Sequence, residues 1–166
     1  MRLEQVWTSR VEELFVAAGW SPTRAVDSGP AQALLREAGF VVEGAPVAFL
    51  DSCLGLSLAG PDQRTFTVDP AEALFWLGQD AASSVASFMA GPACPVGYGS
   101  CSALVVGADG RCVLLKDDWV GFAEVGGVAE AFDRYFYLQD YGRQDREGRW
   151  HWLASDQRPS EFRDSV

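Results

Sequence analysis

The stretch "SALVVGADGRCVLLKD", Ser102–Asp117, decides the architecture. Two apolar runs flank Asp109-Gly110, and an Asp-Gly pair between apolar segments is the strongest short-range signal for a β-hairpin. Both runs are almost continuously apolar rather than alternating, so they predict central strands covered on both faces. Just upstream, "CPVGYGSC" (Cys94–Cys101) brackets a Pro and two glycines with two cysteines and has the look of a site. It lacks the Lys and Ser/Thr of a phosphate-binding loop, and no helix follows whose N-terminus could face a phosphate. Its glycines are expected to let the backbone turn into the following strand. The segment therefore reads as the mouth of a hairpin.

Working outward, Leu3, Trp7, Val11, Leu14, Phe15 and Ala18 recur at helical spacing, and Gly19 supplies a stop. After the Pro-containing connection "WSPTRAVD", a second helix is expected from about Pro30 to Gly39. Phe40 to Val42 suggest a brief strand. Pro46 opens a third helix carrying Val47, Phe49, Leu50 and Leu54, closed by Gly55. "LSLAGPDQRTFTV" alternates about a Gly-Pro turn and reads as two short strands. Asp69, Pro70 and Glu72 form a helix start, with helical character broken at Gly78 and running to about Met89. "GVAEAFDRYFYLQ" gives a closing helix with Val128, Ala131, Phe132, Tyr135 and Phe136 on one side. Helices first, strands later and a last helix give an α+β fold: one domain over 1–139, a mixed or antiparallel sheet with a central hairpin, and helices flanking it. Residues 140–166 form a polar C-terminal extension whose one apolar patch is His-Trp-Leu.

At 166 residues and 48% apolar, with 12% aromatics, the chain has the composition of a folded domain able to build a core without staples. The charged N-terminus has no apolar h-region and no segment approaches 18 apolar residues, so a cytoplasmic protein without signal peptide or membrane span is expected. The formal net charge of −10 repels nucleic acid and anionic membranes and attracts basic partners, although it also serves solubility alone.

The residues offer little catalytic chemistry. The cysteines at 53, 94, 101 and 112 have no zinc-knuckle spacing, and His151 is the single histidine, so no metal site and no cofactor are expected. A cysteine nucleophile at Cys94 or Cys101 would have only His151 as a base. Carboxylates cluster at Asp117-Asp118 and across Glu124, Glu130 and Asp133. These read as a solvated acidic face or as a protein interface. Asp117, Asp118, Trp119 and Glu124 are the candidate partner-binding residues, because acidic groups beside an aromatic can orient and anchor a basic partner.

The ordered set of segments resembles the SUKH superfamily, in particular its third subfamily of immunity proteins from bacterial polymorphic toxin systems. "AGWSP" with Arg24 and Asp27 resembles the family's Ala-Gly-Trp-x-Pro-Gly-Arg opening, with Thr23 where Gly is usual. "LLREAGF" and "APVAFLDSCLGLSL" are similar to the segments that follow, the latter with Leu54 replacing the first Gly of a Gly-Gly-Leu run. "FTVDPAEA", "CPVGYGSCSALVVGADGRCVLL" and "GGVAEAFDRYF" resemble the family's Asp-Pro run, Pro-Val-Gly hairpin and closing helix. The resemblance spans about residues 7–138. It implies structural roles for Trp20, Pro22 and Arg24 around the first connection, for Pro95, Val96 and Gly97 at the start of the hairpin strand, and for Asp109 and Gly110 at its turn. It implies no catalytic set. The implied function is binding and neutralising a toxin domain, a nuclease or nucleic-acid deaminase, with a regulatory scaffold binding several partners as the alternative.

Overall fold

In the computed structural model of the protein, the described residues are 7–89, 91–116, 121–138, 142–144 and 150–151. Helices α1 (Ser9–Ala17), α2 (Gly29–Glu37) and α3 (Ala45–Cys53) come first, then β1 (Ser57–Ala59) and β2 (Thr65–Thr67). Helices α4 (Pro70–Leu77) and α5 (Ala81–Phe88) precede β3 (Ala93–Gly99), β4 (Ser102–Gly107), β5 (Cys112–Lys116) and β6 (Gly121–Val125). Helix α6 (Val128–Asp133) and strands β7 (Gly142–Gln144) and β8 (Trp150–His151) follow. The fold is α+β. All neighbouring strands pair antiparallel in chain order, β1 through β8. Among the described residues β1 pairs only with β2 and β8 only with β7, so the sheet stays open.

Local chemistry sets the helix ends. Gly19 takes φ +97° while its N–H reaches the Val16 carbonyl at 3.0 Å and the Trp20 N–H reaches that of Phe15 at 2.8 Å. Gly39 repeats this double bond at the end of α2, with φ +91°. Both are stops in which a left-handed residue satisfies carbonyls the helix leaves open. At α4, the Asp69 carboxylate accepts the Ala71 N–H at 2.9 Å, as a capping residue should.

The sheet is covered on both faces. Every residue of β3 and β4 is buried. Register places Tyr98, Ala103 and Leu115 on one face and Gly97, Leu104 and Leu114 on the other. The first face meets α4, where the Trp76 ring stacks on Tyr98 at 5.4 Å. The second meets an aromatic cluster. There Phe132 of α6 contacts Phe15 of α1 and Phe66 of β2, each at 5.0 Å, and Phe49 of α3 at 6.2 Å.

Three expectations change on this frame. Phe40–Val42 is not a strand: Phe40 and Val42 are buried, but among the described residues no strand pairs with them, and the segment links α2 to α3. The closing helix does not run on as α-helix; after Asp133 it widens into a π-turn over Arg134–Leu138 that keeps Tyr135 and Phe136 buried. Gly97 does not start the strand or turn it. It lies mid-strand beside a bulge between Pro95 and Gly97, and a Cβ there would collide with the Thr67 carbonyl oxygen and the Phe66 ring. Gly99 is equally confined, against Thr65 and Tyr135. The bulge at Val96 also explains how a central strand accommodates Pro95.

The hairpin turns are likewise specific. Asp109-Gly110 closes β4–β5, but with Gly110 alone left-handed at φ +90° and the Gly110 N–H bonded to the Gly107 carbonyl at 2.9 Å. Asp109 braces the turn by accepting the Arg111 N–H at 3.1 Å and its Nε–H at 2.8 Å. Ser100 and Cys101 form the tighter β3–β4 turn, both at positive φ. Beyond residue 140, β7 and β8 extend the same sheet from β6, so this part of the C-terminal extension pairs with the domain. Trp152 and Leu153, the remainder of the His-Trp-Leu patch, lie outside the described residues.

The close approach of β2 to β3 gives a test. Gly97→Ala is expected to lower the unfolding free energy by about 2 kcal/mol or more in urea denaturation, because backbone rather than a flexible side chain must move. A loss below about 0.5 kcal/mol would contradict the packing described.

Candidate functional site

Of the residues singled out for partner binding, Asp117, Asp118 and Trp119 lie outside the described residues. Glu124 belongs to β6, where its backbone is in register with Val113 of β5. The other carboxylates of that cluster already hold cations. Asp133 takes a two-pronged ion pair from Arg10, Nε–Oδ1 and Nη2–Oδ2 both at 2.6 Å, which holds its carboxyl below the usual range and ties α1 to α6. The Arg10 guanidinium also lies 4.5 Å over the Tyr137 ring. Glu130 accepts the Gly126 N–H at 2.9 Å and the Arg134 Nε–H at 3.2 Å. These two carboxylates are structural clamps.

The first connection is held by a tight turn and one guanidinium. Pro22 occupies a turn closed by the Arg24 N–H on the Ser21 carbonyl at 3.0 Å, and Thr23 fits there without a positive φ. Arg24 sends Nη1 to the Ser52 carbonyl at 2.6 Å and Nη2 to that of Leu54 at 2.8 Å. A guanidinium thus satisfies open carbonyls at the negative end of α3. Nearby, the buried Ser28 hydroxyl donates to the Asp51 carboxylate and accepts from Gln32 Nε2 at 2.7 Å. Trp20 is half-buried, edge-on to Trp7 at 5.9 Å.

The cysteines separate into two environments. Cys53, Cys94 and Cys112 are buried and Cys101 is exposed at its turn. Burial pushes the Cys53 and Cys94 thiols up to about 12 and raises Cys112 as well, where the Asp109 and Glu130 carboxylates add to the effect. His151 lies on β8, five strand positions from Cys94 on β3, about 24 Å measured along the sheet at the usual spacing. Nucleophile and base need to approach to about 3 Å. In the strand order Cys94 and His151 are not neighbours. Among the described residues no group of three or more potential metal ligands comes together, and no helix is long and apolar enough to cross a membrane.

The feature that stands out is on α4. Phe75 is 77% exposed and Trp76 48% exposed, with their rings edge to face at 5.3 Å. An open groove of about 560 Å³ runs between α2 and the start of α4, with Leu34, Leu54, Val68, Asp69 and Ala71 in its lining. Ala71, in the groove's lining, and Phe75, outside it, lie one helical turn apart on one face of α4. From Thr65 to Gly110 the chain contains no Lys, Arg or His, while Asp69, Glu72 and Asp80 lie within or beside α4. Arg36 of α2 is engaged with Gln32 at 3.0 Å and the Val42 carbonyl at 3.4 Å. The readable signal was "LFWL", Leu74–Leu77: four consecutive apolar residues span more than one face of a helix, so they cannot all point at one core.

Comparison with protein-family models, with curated proteins and with solved structures returns no match to this chain.

Thiol chemistry checks the cysteine assignments. Titration with an aromatic disulfide at pH 8 is expected to detect one reactive thiol in the native protein and four after denaturation. Cys101→Ser should remove the native signal. Rapid native reaction of two or more thiols would contradict the burial described.

Proposed function

We propose that this chain is a cytoplasmic immunity protein that binds a basic toxin domain acting on nucleic acid and blocks its active surface. The observation that carries the reading is a chain of net charge −10 that exposes adjacent aromatic side chains on a carboxylate-bearing, cation-free segment. Enzymes that act on nucleic acid carry cationic channels for the phosphate backbone, and an acidic protein surface is complementary to such a channel. Carboxylates steer the encounter, and desolvated aromatics slow release. The resemblance of residues 7–138 to SUKH immunity proteins supports the same reading. Under it the protein binds neither nucleic acid nor membrane directly, since its own charge opposes both.

The test is co-purification with the toxin domain encoded beside this gene. A one-to-one complex is expected, with an association rate that falls at least tenfold between 50 and 500 mM salt as the carboxylates are screened. Absence of a complex at micromolar concentrations would overturn the reading. Broad, weak binding to several unrelated proteins would favour a regulatory scaffold instead.

A further inference from the structure

We infer that the outer face of α4, with the groove leading to α2, is the docking surface for a positively charged polypeptide segment of the partner. This rests on the toxin-binding reading above and adds where, and through which side chains, the partner is held. Phe75 keeps 77% of its surface in water although Trp76 beside it is partly spent on Tyr98. An aromatic this exposed contributes little to its own fold and can contribute much to an interface. The groove at the start of the same helix, one turn from Phe75, is apolar at Leu34, Leu54 and Val68 and carries a carboxylate at Asp69. Glu72 precedes Phe75 and Trp76 by three and four positions, which places it on the neighbouring surface of the helix.

That pattern suits a Lys- or Arg-bearing segment with one or two apolar side chains. The apolar groups enter the groove and pack on Phe75, and the cationic ends reach Asp69 and Glu72. A second copy of this chain is a poor occupant, because two molecules of charge −10 repel one another and the segment from Thr65 to Gly110 supplies no cation to meet the carboxylates. Nucleic acid is excluded by the same sign of charge.

The experiment compares variants against the toxin domain encoded beside the gene by titration calorimetry, with sedimentation of each free protein. Phe75→Ser is expected to weaken the complex at least thirtyfold, the threshold of an interface hot spot. Glu72→Lys should weaken it about tenfold and flatten its salt dependence. Val16→Ser, which removes an exposed apolar side chain of α1 (54% exposed), should leave affinity within twofold. Unchanged melting temperatures would separate these effects from unfolding. If the complex forms but Phe75→Ser and Glu72→Lys stay within threefold of the parent, the α4 surface is overturned while the toxin-binding reading stands. Loss of affinity in Asp117→Ala/Asp118→Ala/Trp119→Ala/Glu124→Ala would then place the contact on that other segment. A concentration-dependent dimer abolished by Phe75→Ser would overturn the proposal in favour of self-association. If no complex forms with the toxin domain, the immunity reading fails and the docking surface falls with it.

Discussion

The fold depends on how closely β2 can approach β3. Two residues without a Cβ, Gly97 and Gly99, let the Thr65–Thr67 backbone and the Phe66 ring settle directly against β3. Phe66 in turn meets Phe132 and Tyr135 edge to face, at 5.0 and 5.4 Å. From Phe132 the contacts spread to α1 through Phe15 and to α3 through Phe49. Each such ring pair adds about 0.5–1.5 kcal/mol beyond the area it buries. Two polar pins hold the same joint: the Tyr135 hydroxyl donates to the Thr65 carbonyl at 2.6 Å, and Arg64 Nη1 donates to the Tyr135 carbonyl at 2.6 Å. With the closing helix fixed against the second strand, the Arg10–Asp133 pair completes the link back to α1.

Features that depend on local chemistry were legible in the chain. The Gly19 and Gly39 stops, the Asp69 cap and the Asp109-Gly110 hairpin each follow from what one or two residues can do, and each lies where it was expected. The continuous burial of β4 was readable from "SALVVG", because a strand with a wet face alternates. What depends on distant partners was not readable. Phe40 and Val42 have strand-forming side chains, yet without a neighbouring edge they bury as a link. Gly97 resembles any turn glycine until Thr67 is placed against it, and Thr67 lies thirty positions away. The π-turn after Asp133 answers the need to keep both Tyr135 and Phe136 in the core, which no local propensity expresses.

The candidate site divides the same way. Charge and composition pointed to an acidic binding protein, and the residues chosen from them, Asp117, Asp118, Trp119 and Glu124, were adjacent in sequence to the central hairpin. Asp117, Asp118 and Trp119 lie outside the described residues, and among the described residues exposure singles out α4, because exposure is a property of the assembled layers. Trp76 is half-spent on Tyr98, and Phe75, which meets the Trp76 ring edge to face, keeps 77% of its surface exposed. Meanwhile Asp133 and Glu130, which look like surface charge in the sequence, are committed to Arg10 and Arg134. An acidic total thus conceals carboxylates that hold the fold together.

If the immunity function proposed above rests on binding alone, protection must be stoichiometric. The most direct measurement titrates a fixed amount of the neighbouring toxin domain with this protein while following the toxin's nuclease or deaminase activity. Activity should fall linearly and reach its floor at one equivalent, independent of preincubation time once the complex has formed. Complete inactivation by a small fraction of an equivalent, deepening with time, would mean that the protein turns over as an enzyme. Full activity at several equivalents would mean that it does not neutralise this toxin at all.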